Sequence, residues 1–414
     1  MSDAAADVRD DVSSAADAMP ADSGDVSCSP SAPRGRCPPD QRCNQGTCVD
    51  IAECARDAQE PNDVREMASA LALDSPLQGN ICAGDEDWFR IEVPPNSIAT
   101  VIVLGPEPDA TSNVDAYAYR EDGTPLGGRL VGREPNPSSI RGFDIGEESF
   151  GFFAGDRPAV YYVRVVPNNA NVRAPYVISA RATEWRDGNP CTAQGFALLD
   201  CTGGRRGMQT LWSFPMPSEA DTYAANGYLL ETVANYRFLR REMMMLFRYA
   251  VHEVMRQFPG TGPLGTMDMC QSNGITPGQD IGTPRHPGNS HDQGGNMDVA
   301  YYQTLPDNRV RVICDAMAGS QTADRYYCLP SAAMTHVVDL RRTIYFVVAL
   351  ARDPRFRVAG IDQVLGPIMR DEAARMRTEG LITDVELSAY NTHVVWGSGW
   401  PAHHHHLHLS MQYL

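Results

Sequence analysis

The spacing of apolar side chains changes along the chain and divides it into blocks. Residues 1–27 have almost no large apolar side chain and contain seven Asp. Burial there cannot offset the entropy of ordering, so this block is expected to be a disordered acidic linker. Between residues 58 and 184, short runs alternate with period two, at 87–93, 99–104, 114–119, 160–166 and 176–180. Turn signals such as Asp122-Gly123 and Pro94-Pro95-Asn96 separate them, a spacing that predicts a β-sandwich. From residue 185 onward the period is mixed. Met243, Phe247, Ala250, Val251, Val254 and Phe258 recur at three and four, predicting a helix over 241–258 that Pro259-Gly260 ends. Strands are predicted at 264–270, 296–302, 358–361 and 407–413, and helices at 334–351 and 368–378. Residues 185–414 therefore read as an α+β domain.

Composition sharpens this picture. Of 414 residues, 35 are Gly and 30 are Pro, which favours loop-rich and β-rich folds over a helical bundle. No apolar run reaches 18 residues, so no transmembrane span is expected. The net charge is −17, and residues 1–100 carry 19 acidic side chains against 7 arginines. An acidic chain without a basic stripe is a poor nucleic-acid binder. Every basic residue other than histidine is arginine, to which no function is attached.

Eleven cysteines are present, five of them at 28, 37, 43, 48 and 54. A segment of that length (28–57) has no core of its own and is expected to be held by disulfides, with Cys82 a partner for the odd Cys54. It resembles the small cysteine-rich repeats of exported bacterial surface proteins. Cys191 with Cys201, and Cys314 with Cys328, are further plausible pairs. No C-x2-C knuckles argue for a zinc ribbon. This density predicts an oxidising compartment: secreted, periplasmic or cell-surface, with tethering through the linker. Met1 is followed by acidic sequence instead of a basic, apolar leader, which points to a mature secreted form or a mis-set start codon.

Two segments concentrate chemistry. In a strand, His406, His408 and Ser410 share one face, while Leu407, Leu409 and Met411 share the other and suit a core. Two imidazoles on a rigid, apolar-backed strand make good metal-ligand positions. Mid-chain, His291 ends a Pro/Gly-rich loop and Asp298 lies seven residues on, with Gly294-Gly295 permitting a reversal between them. His291, Asp298 and His408 together make three ligands and leave a fourth position for water, the layout of a catalytic zinc site.

Ser290-His291-x-x-Gly294-x-x-x-Asp298 followed by His406-x-His408 resembles the zinc peptidase superfamily of lysostaphin, D-alanyl-D-alanine carboxypeptidases and hedgehog-like domains. Penicillin-insensitive murein endopeptidases come closest, through Met269-Cys270-Gln271, Pro284-Arg285, Asp353-Pro354 and His403-x-x-His406-x-His408. The chain departs from their pattern at Gly288, where they carry His, and at Asn296, where they carry a carboxylate. The resemblance implies Zn2+ on His291, Asp298 and His408, in a metallopeptidase domain with a small antiparallel sheet bearing the metal. His406 would be the general-base imidazole, His403 a further group near substrate, and Gln271 an oxyanion donor. The implied substrate is the peptide of peptidoglycan, in cross-links or stems. Residues 58–184 resemble a bacterial pre-peptidase C-terminal domain through Glu60-Pro61-Asn62-Asp63, Gly84-Asp85-Glu86-Asp87-Trp88-Phe89, Val114-Asp115-Ala116-Tyr117 and Tyr161-Tyr162-Val163-Arg164-Val165. Asp63, Asp85, Asp87 and Asp115 offer oxygen ligands for Ca2+.

Rival chemistry is weaker. His252-Glu253 lacks the second His of H-E-x-x-H, since Arg256 occupies it, and His252 reads as a helix-surface residue. No G-x-S-x-G elbow is present. Cys270 reads as structural or as the odd thiol, and His336 and His393 as ordinary histidines. Two other functions are compatible with the sequence: an inactive extracellular binding protein with a peptidase-like domain, and a secreted peptidase acting on ordinary proteins.

Overall fold

A computed structural model describes residues 41–44, 47–50, 57–82, 84–105, 112–126, 146–169, 172–185, 208–212, 222–223, 226–287, 290–305, 307–319, 326–329, 331, 337–397 and 402–412. The linker over 1–27, Cys28, Cys37, Cys54, Cys191, Cys201, Gly288 and His336 lie outside them. The chain is mostly β, with four α-helices among the described residues. Two strands, β1 (Gln41–Asn44) and β2 (Thr47–Asp50), form a hairpin with Cys43 opposite Cys48. Cys82 is disulfide-bonded.

Eight strands follow: β3 (Ser69–Ala70), β4 (Leu77–Ile81), β5 (Asp87–Val93), β6 (Ser97–Leu104), β7 (Val114–Arg120), β8 (Glu147–Ala154), β9 (Ala159–Pro167) and β10 (Ala174–Glu184). They form two four-stranded sheets, ordered β4-β10-β6-β8 and β3-β5-β9-β7. In β5, Phe89, Ile91 and Val93 are buried and alternate with the more exposed Trp88, Arg90 and Glu92. These residues join Val101, Phe152, Val163 and Ile178 in one apolar core between the sheets. Each such side chain contributes about 1.5–3 kcal/mol.

β6 breaks the alternation, since all eight of its residues are buried. Ala99, Val101 and Val103 face the sandwich core, whereas Ile102 and Leu104 belong to the core of the C-terminal half. The outer face of the β4-β10-β6-β8 sheet is thus covered by the rest of the chain. β11 (Met208–Thr210) lies against it, and Thr210 N–H donates to Thr100 Oγ1 at 2.9 Å. Gly151 in β8 permits that approach, because a Cβ there would sit 2.2 Å from the Met208 carbonyl oxygen.

The C-terminal half adds β12 (Thr222–Tyr223), β13 (Tyr228–Leu230), β14 (Phe238–Arg240), α1 (Arg241–Gln257), β15 (Leu264–Thr266), β16 (Asn296–Val299), β17 (Met317–Ala318), β18 (Tyr327–Cys328), α2 (Leu340–Ala351), β19 (Phe356–Gly360), α3 (Leu365–Thr378), α4 (Asp384–His393), β20 (Val394–Val395) and β21 (Leu407–Met411). A seven-stranded sheet runs β12-β13-β15-β16-β21-β19-β20. It is larger than the small antiparallel sheet expected, and it is mixed. The pairs β13–β15 and β19–β20 are parallel, while β16, β21 and β19 pair antiparallel. Met297, Val299, Leu407, Leu409 and Met411 enter one core with Phe247 of α1 and Phe346 of α2. Their strand neighbours Asp298, His408 and Ser410 belong to the opposite face, by the period of two, and His406 immediately precedes β21.

Several boundaries differ from expectation. The second helix begins at Leu340, where Asp339 caps it by accepting from Arg342 N–H at 3.0 Å. Strand pairing stops at Thr266 and Val299, short of the apolar runs that continue beyond them. α1 is buried over nearly its whole circumference, because β8 covers what would be its polar side. Arg248 Nε reaches Glu147 Oε1 at 2.7 Å, and Arg241 Nε donates to the Ser149 carbonyl at 2.8 Å. Cys314 and Cys328 form the disulfide expected of them. No helix among the described residues is long and apolar enough to cross a membrane.

Candidate metal centre

Strand register places the first two side chains together. Asp298 of β16 is directly opposite His408 of β21, and Gly360 of β19 flanks His408 on the other side. His408 Nδ1 lies 3.0 Å from Asp298 Oδ1. His291 arrives from the loop before β16. Its φ is +54°, that of Gln293 is +54° and that of Gly294 is +74°. Left-handed backbone at non-glycine residues needs support from its surroundings. Arg240 supplies it, donating N–H to the Gly294 carbonyl (2.8 Å) and Nε–H to the Gln293 carbonyl (2.7 Å). A Cβ at Gly294 would meet Arg240 N at 2.7 Å.

The loop presents His291 Nε2 at 3.1 Å from Asp298 Oδ1 and 3.0 Å from His408 Nδ1. Its other nitrogen, Nδ1, donates to the Met269 carbonyl at 3.2 Å, so Nε2 carries the lone pair. The three atoms form a triangle with edges of 3.0–3.1 Å. Ligands about 2.0–2.1 Å from a tetrahedral zinc stand roughly 3.3–3.4 Å from one another. The triangle needs to open by only a few tenths of an ångström to hold such an ion. His291 and Asp298 are fully buried, and His408 nearly so.

The electrostatics suit a cation. Burial pushes the His291 imidazole down to about 4, keeping it neutral. Burial alone would raise Asp298, but His291 and His406 hold its carboxyl well below the ordinary range. A neutral imidazole and an ionised carboxylate are the forms that bind metal.

The remaining predicted residues fall unevenly. His406 Nε2 lies 3.4 Å from Asp298 Oδ2, and burial holds this imidazole far below its usual value. The His403 ring is 5.1 Å from that of His406 and 6.1 Å from that of His408. Gln271 is turned elsewhere: its amide donates to Asp280 at 2.6 Å. Cys270 is a buried thiol lying 3.0 Å from the Phe238 carbonyl. His252 is half-buried on α1, and its neighbour Glu253 pairs with Arg256 and Arg352. His393 Nδ1 bonds the Arg357 carbonyl at the surface.

Two residues were missed from sequence. His286 stacks on His291 with ring centroids 3.8 Å apart, and its Nδ1 is 3.8 Å from Asp298 Oδ2. Its Nε2 bonds Asp268 Oδ2 at 3.1 Å. Asp268 is buried, accepts Thr232 Oγ1–H at 2.7 Å and forms an ion pair with Arg285 Nε at 2.9 Å. Burial opposes charge on His286, but the bond to Asp268 and the charge of Asp298 raise its affinity for a proton above the ordinary. The available signal was a charge, Asp268, inside the apolar run Met267-Asp268-Met269.

The sandwich carries a second cluster. Ligand atoms of Glu60, Asp85 and Asp87 lie within 4.8 Å of one another. Asp63 adjoins Asp85, whereas Asp115 is engaged with Asn168 Nδ2 at 3.0 Å. Burial pushes Asp87 up to about 8, with Asp57, Asp85 and Glu60 adding to it against a hydrogen bond from Tyr176.

Among known proteins, no family model matches the chain, and no curated protein does. Solved structures that match part of it include the following two. One is the pre-peptidase C-terminal domain of a collagenase from Bacillus anthracis, at 17% identity over 28% of this chain and 94% of that chain, TM-score 0.20. The other is a periplasmic inhibitor of g-type lysozyme from Aeromonas hydrophila, at 14% identity over 26% of this chain and 85% of that chain, TM-score 0.17.

Proposed function

We propose that the chain is a zinc-dependent hydrolase of peptide bonds. The observation that carries this reading is the buried triangle of His291 Nε2, Asp298 Oδ1 and His408 Nδ1. Two nitrogens and one oxygen form a donor set suited to zinc, and three protein ligands leave a position for substrate or water. A zinc ion held there would acidify bound water and polarise the scissile carbonyl.

The other residues have separate duties. His406, kept neutral by burial, would be the imidazole to take a proton from the attacking water at Nε2 and return it to the leaving amine. His403 stands beside it for the substrate side. Gln271 has no part in this scheme, since its amide serves Asp280.

The H-x6-D and H-x-H spacing resembles that of murein endopeptidases, so the substrate class proposed is the peptide of peptidoglycan, in cross-links or stems. The disulfide Cys314–Cys328 and the bonded Cys82 support an exported protein. In the sandwich we assign Ca2+ to Glu60, Asp85 and Asp87, because Asp87 Oδ1 is buried with no hydrogen-bond partner beside two further carboxylates.

The deciding experiment incubates zinc-loaded protein with purified sacculi and, separately, with casein, and reads products by mass spectrometry. Muropeptides cut at an amide, with casein intact and with His408→Ala inactive, are the expected result. Casein cleavage would move the substrate to ordinary proteins. Zinc bound without cleavage of either would make the chain a binding protein.

A further inference from the structure

The imidazoles around Asp298 are distributed two to each carboxylate oxygen. Oδ1 faces His291 Nε2 (3.1 Å) and His408 Nδ1 (3.0 Å). Oδ2 faces His406 Nε2 (3.4 Å) and His286 Nδ1 (3.8 Å). Oδ2 is buried and has no hydrogen-bond partner, which is costly for an ionised carboxylate.

One of the two rings on the Oδ2 side is held as a metal ligand's ring is. A metal-bound imidazole usually gives its outer nitrogen to a carboxylate, carbonyl or similar partner. His286 gives Nε2 to Asp268, an acceptor, which leaves its lone pair on Nδ1, the atom facing Asp298. His406 Nδ1 is engaged with His405 Nε2 at 3.3 Å, leaving Nε2 inward.

The stacking of His286 on His291 adds a geometric argument. The rings are 3.8 Å apart and only 19° from parallel. In nearly parallel rings the lone pairs lie in separate planes: His286 Nδ1 stands beside Oδ2 (3.8 Å) and His291 Nε2 beside Oδ1 (3.1 Å), with the ligand atoms of His286, His291 and Asp298 all within 4.8 Å of one another. Two-metal hydrolytic sites place their ions about 3.5–4 Å apart.

We propose a second divalent-metal position, held by His286, His406 and Asp298 Oδ2, and bridged to the first through the Asp298 carboxylate. It rests on the reading of His291, Asp298 and His408 as a metal site, and not on the substrate. With His406 as a ligand, His403 becomes the imidazole for proton transfer.

The test is metal stoichiometry on the full chain, stripped with chelator and titrated with Co2+ and Zn2+. Visible spectra follow Co2+, and elemental mass spectrometry counts bound Zn2+. The wild type is expected to take up two equivalents in the histidine cluster, with magnetic coupling between the two Co2+ ions. His286→Ala should lose one equivalent and keep the other. Asp268→Asn should weaken the second equivalent 10- to 100-fold while sparing the first. Circular dichroism of the stripped variants checks folding, and His286→Gln provides a milder replacement. Saturation of the wild type at one equivalent, or unchanged stoichiometry in both His286 variants, would overturn the second position alone. Absence of any bound metal in the wild type would defeat the metal reading itself. Two bound equivalents without peptide cleavage would leave this inference standing and remove the hydrolase.

Discussion

His291 shows how a single side chain is tuned by where the chain holds it. Its backbone is left-handed, its Nδ1 is tied to a carbonyl and its ring is fully buried. Burial pushes it down to about 4, and does the same to His405. In the unfolded chain both titrate near 6.5. Between about pH 6.5 and 4 the unfolded state therefore binds more protons, and stability falls as pH falls. The contribution is fully present above about 6.5. The urea midpoint of metal-free His291→Gln should therefore rise relative to that of metal-free wild type as pH falls across this window. The mutual relation of the candidate ligands was partly legible at this scale. H-x-H on an alternating strand and H-x6-D across Gly294-Gly295 are local patterns. His286 was not legible, because its place against His291 depends on a loop whose shape Arg240 and Gly274 impose from elsewhere in the chain.

Among the elements, strands with one wet face were read closely and doubly covered ones were not. β5 alternates cleanly, and its predicted and observed limits coincide. β8 was missed because its Glu147, Glu148 and Ser149 look like a solvated loop, yet all three are buried under α1 and β11. α4 was missed although Thr383-x-x-Glu386 is a capping-box signature. Thr383 Oγ1 accepts from Glu386 N–H, and Glu386 returns the bond to the Thr383 backbone. Thr383→Ala should cost about 0.5–2 kcal/mol, read as a lowered melting temperature. The acidic cluster below β5 gives a second expectation. Asp87 is pushed up to about 8 and Asp85 to about 6, so their contribution is fully present below about pH 4 and is lost as pH rises through 6 to 8. Added Ca2+ should restore the stability lost at pH 8 in the wild type and not in Asp87→Asn.

Across the whole molecule, the sandwich and the C-terminal half share buried surface. Ile102 and Leu104 of β6 lie in the core that contains α1 and α2. Arg248 and Glu147 pair within it, with Tyr228 and Asn226 completing the guanidinium's bonds. Breaking a buried pair leaves an uncompensated charge. Glu147→Ala should therefore destabilise the protein by about 3–5 kcal/mol. Because the pair joins both halves, tryptophan fluorescence and far-ultraviolet circular dichroism should shift together in urea.

The sequence alone determined the β-rich architecture, the strand bearing His408, the pair Cys314–Cys328 and the candidates His291 and Asp298. Each depends on the period of side chains along one element or on residues close in the chain. Tertiary structure alone decided that Asp298 and His408 face each other across a strand pair, that the central sheet has seven strands, and that Gln271 turns to Asp280. It also decided that His286 and Asp268 complete the cluster. Those outcomes depend on strand register and on which surface is covered, and both are fixed by packing between segments as far as 110 residues apart.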